Sequence, residues 1–156
     1  MNTTSHDNVV DILIVGDDVA MQRVIFTHLK TYFTKLNFNG QIEVCADAVQ
    51  CIFNLNDHGN KYDIIFLDSH ILNMDSIGIF HSIHMTHPEL ETHLIFLTSA
   101  IDELKSRMVK ENINIKNISF LFKPFDYETL QFHVSSVLLT DHQAHTLNNN
   151  IGECDI

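Results

Sequence analysis

Apolar residues in this chain collect into five short runs, separated by longer stretches where they recur at helical spacing. The runs are Ile12-Leu13-Ile14-Val15, residues 42–46, Ile64-Ile65-Phe66-Leu67, Leu94-Ile95-Phe96-Leu97, and Ile118-Ser119-Phe120-Leu121-Phe122. Such runs, bounded by turn residues and rich in branched and aromatic side chains, read as strands at residues 11–15, 42–46, 62–67, 93–98 and 118–122. Between the first two, Val24, Ile25, Leu29, Tyr32 and Phe33 return near every third or fourth position. That spacing predicts a helix over Val19–Leu36, broken by Asn37-Phe38-Asn39-Gly40. Further helices are expected at residues 48–55, 76–87, 102–111 and 127–139. Asp75 is a good N-cap for the third and Pro88 stops it, whereas the fourth is short and weakly amphipathic. Strands alternating with helices predict an α/β domain whose parallel sheet is covered on both faces. The domain is expected over residues 9–140, between a flexible amino terminus (1–8) and a loose, Asn-rich polar tail (141–156).

The polar residues that end the strands carry the chemistry. Asp17-Asp18 follows the first, Asp68 closes the third, Thr98 the fourth, and Lys123-Pro124 follows the fifth. Ligands of an open α/β sheet collect at the carboxyl ends of its strands. Carboxylates, a hydroxyl and an ammonium gathered there point to a site that handles phosphoryl groups.

Composition narrows the class. The chain has 156 residues, 45% hydrophobic and 19% charged, which suits one soluble domain. No apolar stretch approaches the ~20 residues of a membrane span, and Met1 to Asn8 lacks the order of a secretion signal. Cys45, Cys51 and Cys154 share no metal-ligand spacing and read as free thiols of a reducing cytoplasm. A net charge of −11 with nine scattered Lys and Arg argues against direct nucleic-acid binding. No Gly-rich phosphate loop or dinucleotide fingerprint is present, which argues against nucleotide enzymes.

Asp17, Asp68, Thr98 and Lys123-Pro124, in that order on a (βα)5 pattern, resemble the receiver domain of two-component response regulators. Asp68-Ser69-His70-Ile71-Leu72-Asn73-Met74-Asp75 is similar, without gaps, to the family's phosphoacceptor loop, and Phe122-Lys123-Pro124-Phe125 to its last signature. The resemblance implies a doubly wound, flavodoxin-like sheet of five parallel strands in the order 2-1-3-4-5. It implies that Asp68 accepts a phosphoryl group from a histidine kinase or histidine phosphotransfer protein, assisted by Mg2+. Asp17, Asp68 and the main-chain carbonyl of His70 would be the metal ligands. Lys123 would pair with the carboxylate and then the phosphoryl oxygens, Thr98 would donate its hydroxyl, and Phe120 would be the switch aromatic. An unknown downstream protein would read the face made by helix four, strand five and helix five. No output domain follows Thr140, so a stand-alone regulator is expected, catalysing only its own transfer and slow hydrolysis.

The chain also departs from the family's pattern. Gly16 stands at the first of two usual acids, Leu72 at a usual proline and Ser76 at a usual glycine. Asp18 either compensates as a metal ligand or caps helix one, and Ser99 is a second candidate hydroxyl beside Thr98. Two rivals follow: a degenerate receiver that binds partners without phosphorylation, and an aspartyl-nucleophile phosphatase. The phosphatase wants an acid where His70 stands. His81, His84 and His87 recur every third residue, with a His81–His84 metal clamp weighed against a solvated helix face.

Overall fold

The computed structural model describes residues 9–58, 61–71 and 74–150. Its elements are β1 (Val9–Val15), α1 (Val19–Leu36), β2 (Asn39–Cys45), α2 (Ala48–His58), β3 (Ile64–Asp68), α3 (Ser76–Thr86), a 3-10 turn (Pro88–His93), β4 (Leu94–Thr98), α4 (Ile101–Lys110), β5 (Ser119–Phe122) and α5 (Tyr127–Asn150). All strand pairings are parallel, and the order across the sheet is β2-β1-β3-β4-β5, as the resemblance implies.

The apolar runs divide themselves between two cores because successive strand residues point to opposite faces. Leu13, Val15, Ile65, Leu67 and Phe96 join Cys51, Leu55, Ile77, Ile83, Leu104 and Met108 under α2, α3 and α4. Ile12, Ile14, Ile64, Phe66, Ile95 and Leu97 join Ile25, Leu29, Phe33, Leu130 and Val134 under α1 and α5. Every residue of β3 and β4 is buried, so the central strands need apolar side chains at all positions rather than at alternate ones. Among the described residues, no helix is long and apolar enough to cross a membrane.

Local chemistry sets the element ends. Asp18 caps α1, accepting from the Met21 amide at 3.0 Å. Asn37, with φ of 56°, ends it in the left-handed conformation that asparagine tolerates. Gly40 then lies inside β2, opposite Val10, so that strand starts three residues before the expected position 42. A Cβ on Gly40 would stand 2.7 Å from Cδ2 of Phe33, a buried ring. Glycine is there for the close approach of strand and helix, not for a turn.

Two expectations need correction. The fourth helix is well formed: Leu104 and Met108, one turn apart, are both buried. Asp102 and Glu103 open it and Arg107 and Lys110 close it, charges that complement the helix dipole. The fifth helix does not stop at Leu139 but continues to Asn150, through residues read from the sequence as loose tail. Residues 140–150 contain neither glycine nor proline, so nothing in them breaks the helix. The expectations for residues 1–8 and 151–156, including Cys154, lie outside the described residues.

Cys45 and Cys51 are free and buried, as small apolar residues would be. Burial raises both thiols, Cys51 to about 12. Iodoacetamide in mildly alkaline buffer should therefore spare both cysteines in the native protein and label them after unfolding, read by peptide mass mapping. Gly40→Ala should lower stability by about 1–3 kcal/mol in urea unfolding, since the Phe33 ring has to give way. Asn37→Gly should leave stability unchanged or slightly higher.

Candidate functional site

The sheet register builds the site. Val15 pairs with Leu67, so the residue after β1, Gly16, comes level with Asp68. The approach is close: a Cβ on Gly16 would lie 3.0 Å from Cβ of Asp68 and 3.5 Å from its Oδ2. The Gly16 amide donates to the Cys45 carbonyl at 2.9 Å, and Gln22 Nε2 donates to the Gly16 carbonyl at 2.7 Å. These bonds hold the turn that follows β1.

Asp68 is 4% exposed. Lys123 Nζ donates to both of its carboxylate oxygens, at 2.9 Å and 3.2 Å, and the His70 amide donates to Oδ1 at 3.1 Å. A buried carboxylate is costly unless it is paired and hydrogen-bonded, and this one is both. Lys123 arrives from the turn after β5, whose main chain is fixed by its amide donating to the Thr98 carbonyl at 2.9 Å. The Lys123–Pro124 peptide bond is cis.

Thr98, at the end of β4, is 2% exposed, and its Oγ1 accepts from the Ala100 amide at 3.0 Å. Phe120 is half-buried in β5. Its ring stacks on Phe96 at 5.7 Å between centroids, and Lys105 Nζ of α4 lies 5.1 Å from its centroid.

Asp17 is exposed. It shares a cleft of about 380 Å³ with Ser69, His70, Ile71, Met74, Asp75 and Arg107. Asp18 takes the capping role that was one of its two sequence readings, its Oδ1 accepting from the Met21 amide. Asp17 and Asp68 are hard oxygen donors, and two carboxylates completed by carbonyl and water oxygens suit Mg2+. Among the described residues, no group of three or more His, Cys, Asp or Glu is arranged to hold a metal ion. The helix-three histidines are each engaged by a glutamate instead: His81 with Glu111 at 2.8 Å, His84 with Glu91, and His87 with Glu89 at 3.1 Å.

One participant was not legible from the sequence. Arg107 of α4 forms an ion pair with Asp75 Oδ2 at the rim of the cleft. The partners lie 32 positions apart, and a basic residue in the last turn of a helix reads as dipole compensation, so no local signal marks the pair.

The chain matches the model of the response regulator receiver domain over residues 12–135. It is 24% identical over 149 residues to the transcription factor SKN7 of Chaetomium thermophilum, covering 96% of this chain but spanning only 17% of that relative's length. The receiver domain of a sensor histidine kinase from Pseudomonas aeruginosa, solved with a magnesium ion in its active site cleft, is similar in fold. Its TM-score is 0.66 at 22% identity, over 83% of this chain and 97% of that one. The chemotaxis response regulator CheY4 of Vibrio cholerae gives a TM-score of 0.65 at 19% identity, over 83% of this chain and 99% of that one. With the family's match running from within β1, through the other four strands and into the first turns of α5, the chain belongs to the response regulator receiver domain family.

Proposed function

We propose that this receiver accepts a phosphoryl group on Asp68 from a phosphohistidine of a histidine kinase or phosphotransfer protein, and relays the signal through protein contacts. The observation that carries this reading is the Lys123 ammonium bonded to both oxygens of a buried carboxylate at the carboxyl edge of the sheet. In the transfer, one Asp68 oxygen forms a bond to phosphorus while the donor's P–N bond breaks. The imidazole keeps that electron pair. The reaction requires two anions to meet, so it depends on positioning and on screening of charge.

Each residue has a part in that. The His70 amide fixes one Asp68 oxygen and so leaves a defined one for attack. Lys123 offsets the carboxylate's charge beforehand and is placed to follow it onto the phosphoryl oxygens. Asp17, Asp68 and the main-chain carbonyl of His70 would hold Mg2+, which when bound screens the repulsion between nucleophile and phosphoryl group. The magnesium ion in the cleft of the Pseudomonas receiver supports that assignment. The Thr98 hydroxyl accepts one hydrogen bond and keeps its own proton to donate to a phosphoryl oxygen. Turning to do so alters the space beside Phe120, whose ring touches both Phe96 and Lys105 of α4. The signal thereby reaches the face formed by α4, β5 and α5, where Val109, Phe122 and Phe132 are exposed.

Gly16 favours a second reading, a phosphorylation-independent interaction module, because it removes one acid from the site. Intact mass after incubation with acetyl phosphate and Mg2+ separates the two. The proposal expects a gain of one phosphoryl group, absent from Asp68→Asn and from samples stripped of divalent metal; an unchanged wild-type mass favours the module. Lys123→Ala should slow adduct formation by about 10²-fold in the same time course. Asp17→Asn should raise the Mg2+ concentration needed for half-maximal rate, while Asp18→Asn should leave it unchanged.

A further inference from the structure

The cleft lined by Asp17 and by Ser69 and His70, the two residues that follow Asp68 in the chain, has a rim that belongs to α4. Leu104 and Met108 point that helix's apolar side into the core, and Arg107 between them sends its guanidinium to Asp75, the N-cap of α3. Asp75 uses its other oxygen for the cap, accepting from the Ile77 amide at 3.2 Å. Both partners of the ion pair are largely open to solvent, with side chains 44% and 41% exposed. Pairs so exposed are weak and exchange easily. Asp75 keeps its capping role if Arg107 leaves. Among the described residues lining the cleft, Arg107 is the only Lys or Arg, and Lys123 is committed to Asp68.

We propose that Arg107 is a positioning residue for the phosphoryl group: it leaves Asp75 for the phosphoryl oxygens when that group enters the cleft. The proposal rests on Asp68 being the phosphoacceptor and deepens that reading. A phosphoryl group brings a charge of about −2 and several acceptor oxygens, which a planar guanidinium engages two at a time. The single free oxygen of Asp75 offers less. The exchange also draws on α4, so occupancy of the cleft is felt by that helix through Arg107 as well as through Phe120 and Lys105. Asp75 then acts as a competitor that holds the arm away until an anion arrives.

Two variants that break the same ion pair have opposite expected effects, which a merely structural contact cannot give. With acetyl phosphate and Mg2+, Arg107→Ala should slow phosphorylation of the full chain by at least about tenfold, with Arg107→Lys recovering part of the rate. Asp75→Asn retains a capping side chain and releases the arginine, so it should speed phosphorylation and lose that gain when combined with Arg107→Ala. Circular dichroism and thermal unfolding confirm that each variant is folded. Equal slowing by Arg107→Ala and Asp75→Asn, or no change in either, overturns the proposal while leaving Asp68 as phosphoacceptor. Absence of any wild-type adduct overturns both.

Discussion

A charged oxygen pair that is almost wholly withdrawn from water has to be matched by a positive group, and at Asp68 that group is the Lys123 ammonium. Much of the architecture serves this one contact. Asp68 is the last residue of a strand buried at every position, and Lys123 follows a strand two places across the sheet. Their meeting depends on the parallel order β3-β4-β5 and on the main-chain bond from Lys123 to the Thr98 carbonyl. Removing either partner of a buried pair leaves an uncompensated charge, which typically costs about 3–5 kcal/mol. The contact therefore constrains the strand ends as much as it orients the carboxylate.

Gly16 is the second constraint on the site. Any side chain there would press on the Asp68 side chain. Where the resemblance leads one to expect an acid, the chain has fitted backbone against Asp68 instead. The proposed Mg2+ site would rest on two carboxylates, the buried Asp68 and the exposed Asp17. A smaller negative charge around the nucleophile weakens the attraction for metal, but it also lowers the repulsion met by an incoming phosphoryl group.

Much of this was legible in the sequence, for physical reasons. Strands buried on both faces must be apolar throughout, so β3 and β4 stand out without any alignment, and the residues that end them are conspicuous because they are polar. Helix α1 was legible to the residue, since its periodicity is long and Asn37 is a strong terminator. Other features depend on neighbours far along the chain. Nothing local shows that Gly40 is pressed by Phe33, that Asp18 is occupied by a helix cap, or that Asp75 is shared between a cap and Arg107. The length of α5 is not legible locally, because polar composition reads as loss of structure whereas the absence of glycine and proline lets the helix continue. The histidines of α3 invited a metal reading that their glutamate neighbours explain more simply.

The central claim is that Asp68, Lys123 and a divalent cation together form a receptacle for a phosphoryl group. Fluorine NMR of the full chain with fluoroberyllate, a phosphoryl mimic, and Mg2+ tests it without any transfer reaction. The account predicts resolved bound-fluoride resonances in the wild type that disappear when Mg2+ is chelated and in Lys123→Ala. A folded wild-type protein that shows only free fluoroberyllate, at any Mg2+ concentration, would contradict it.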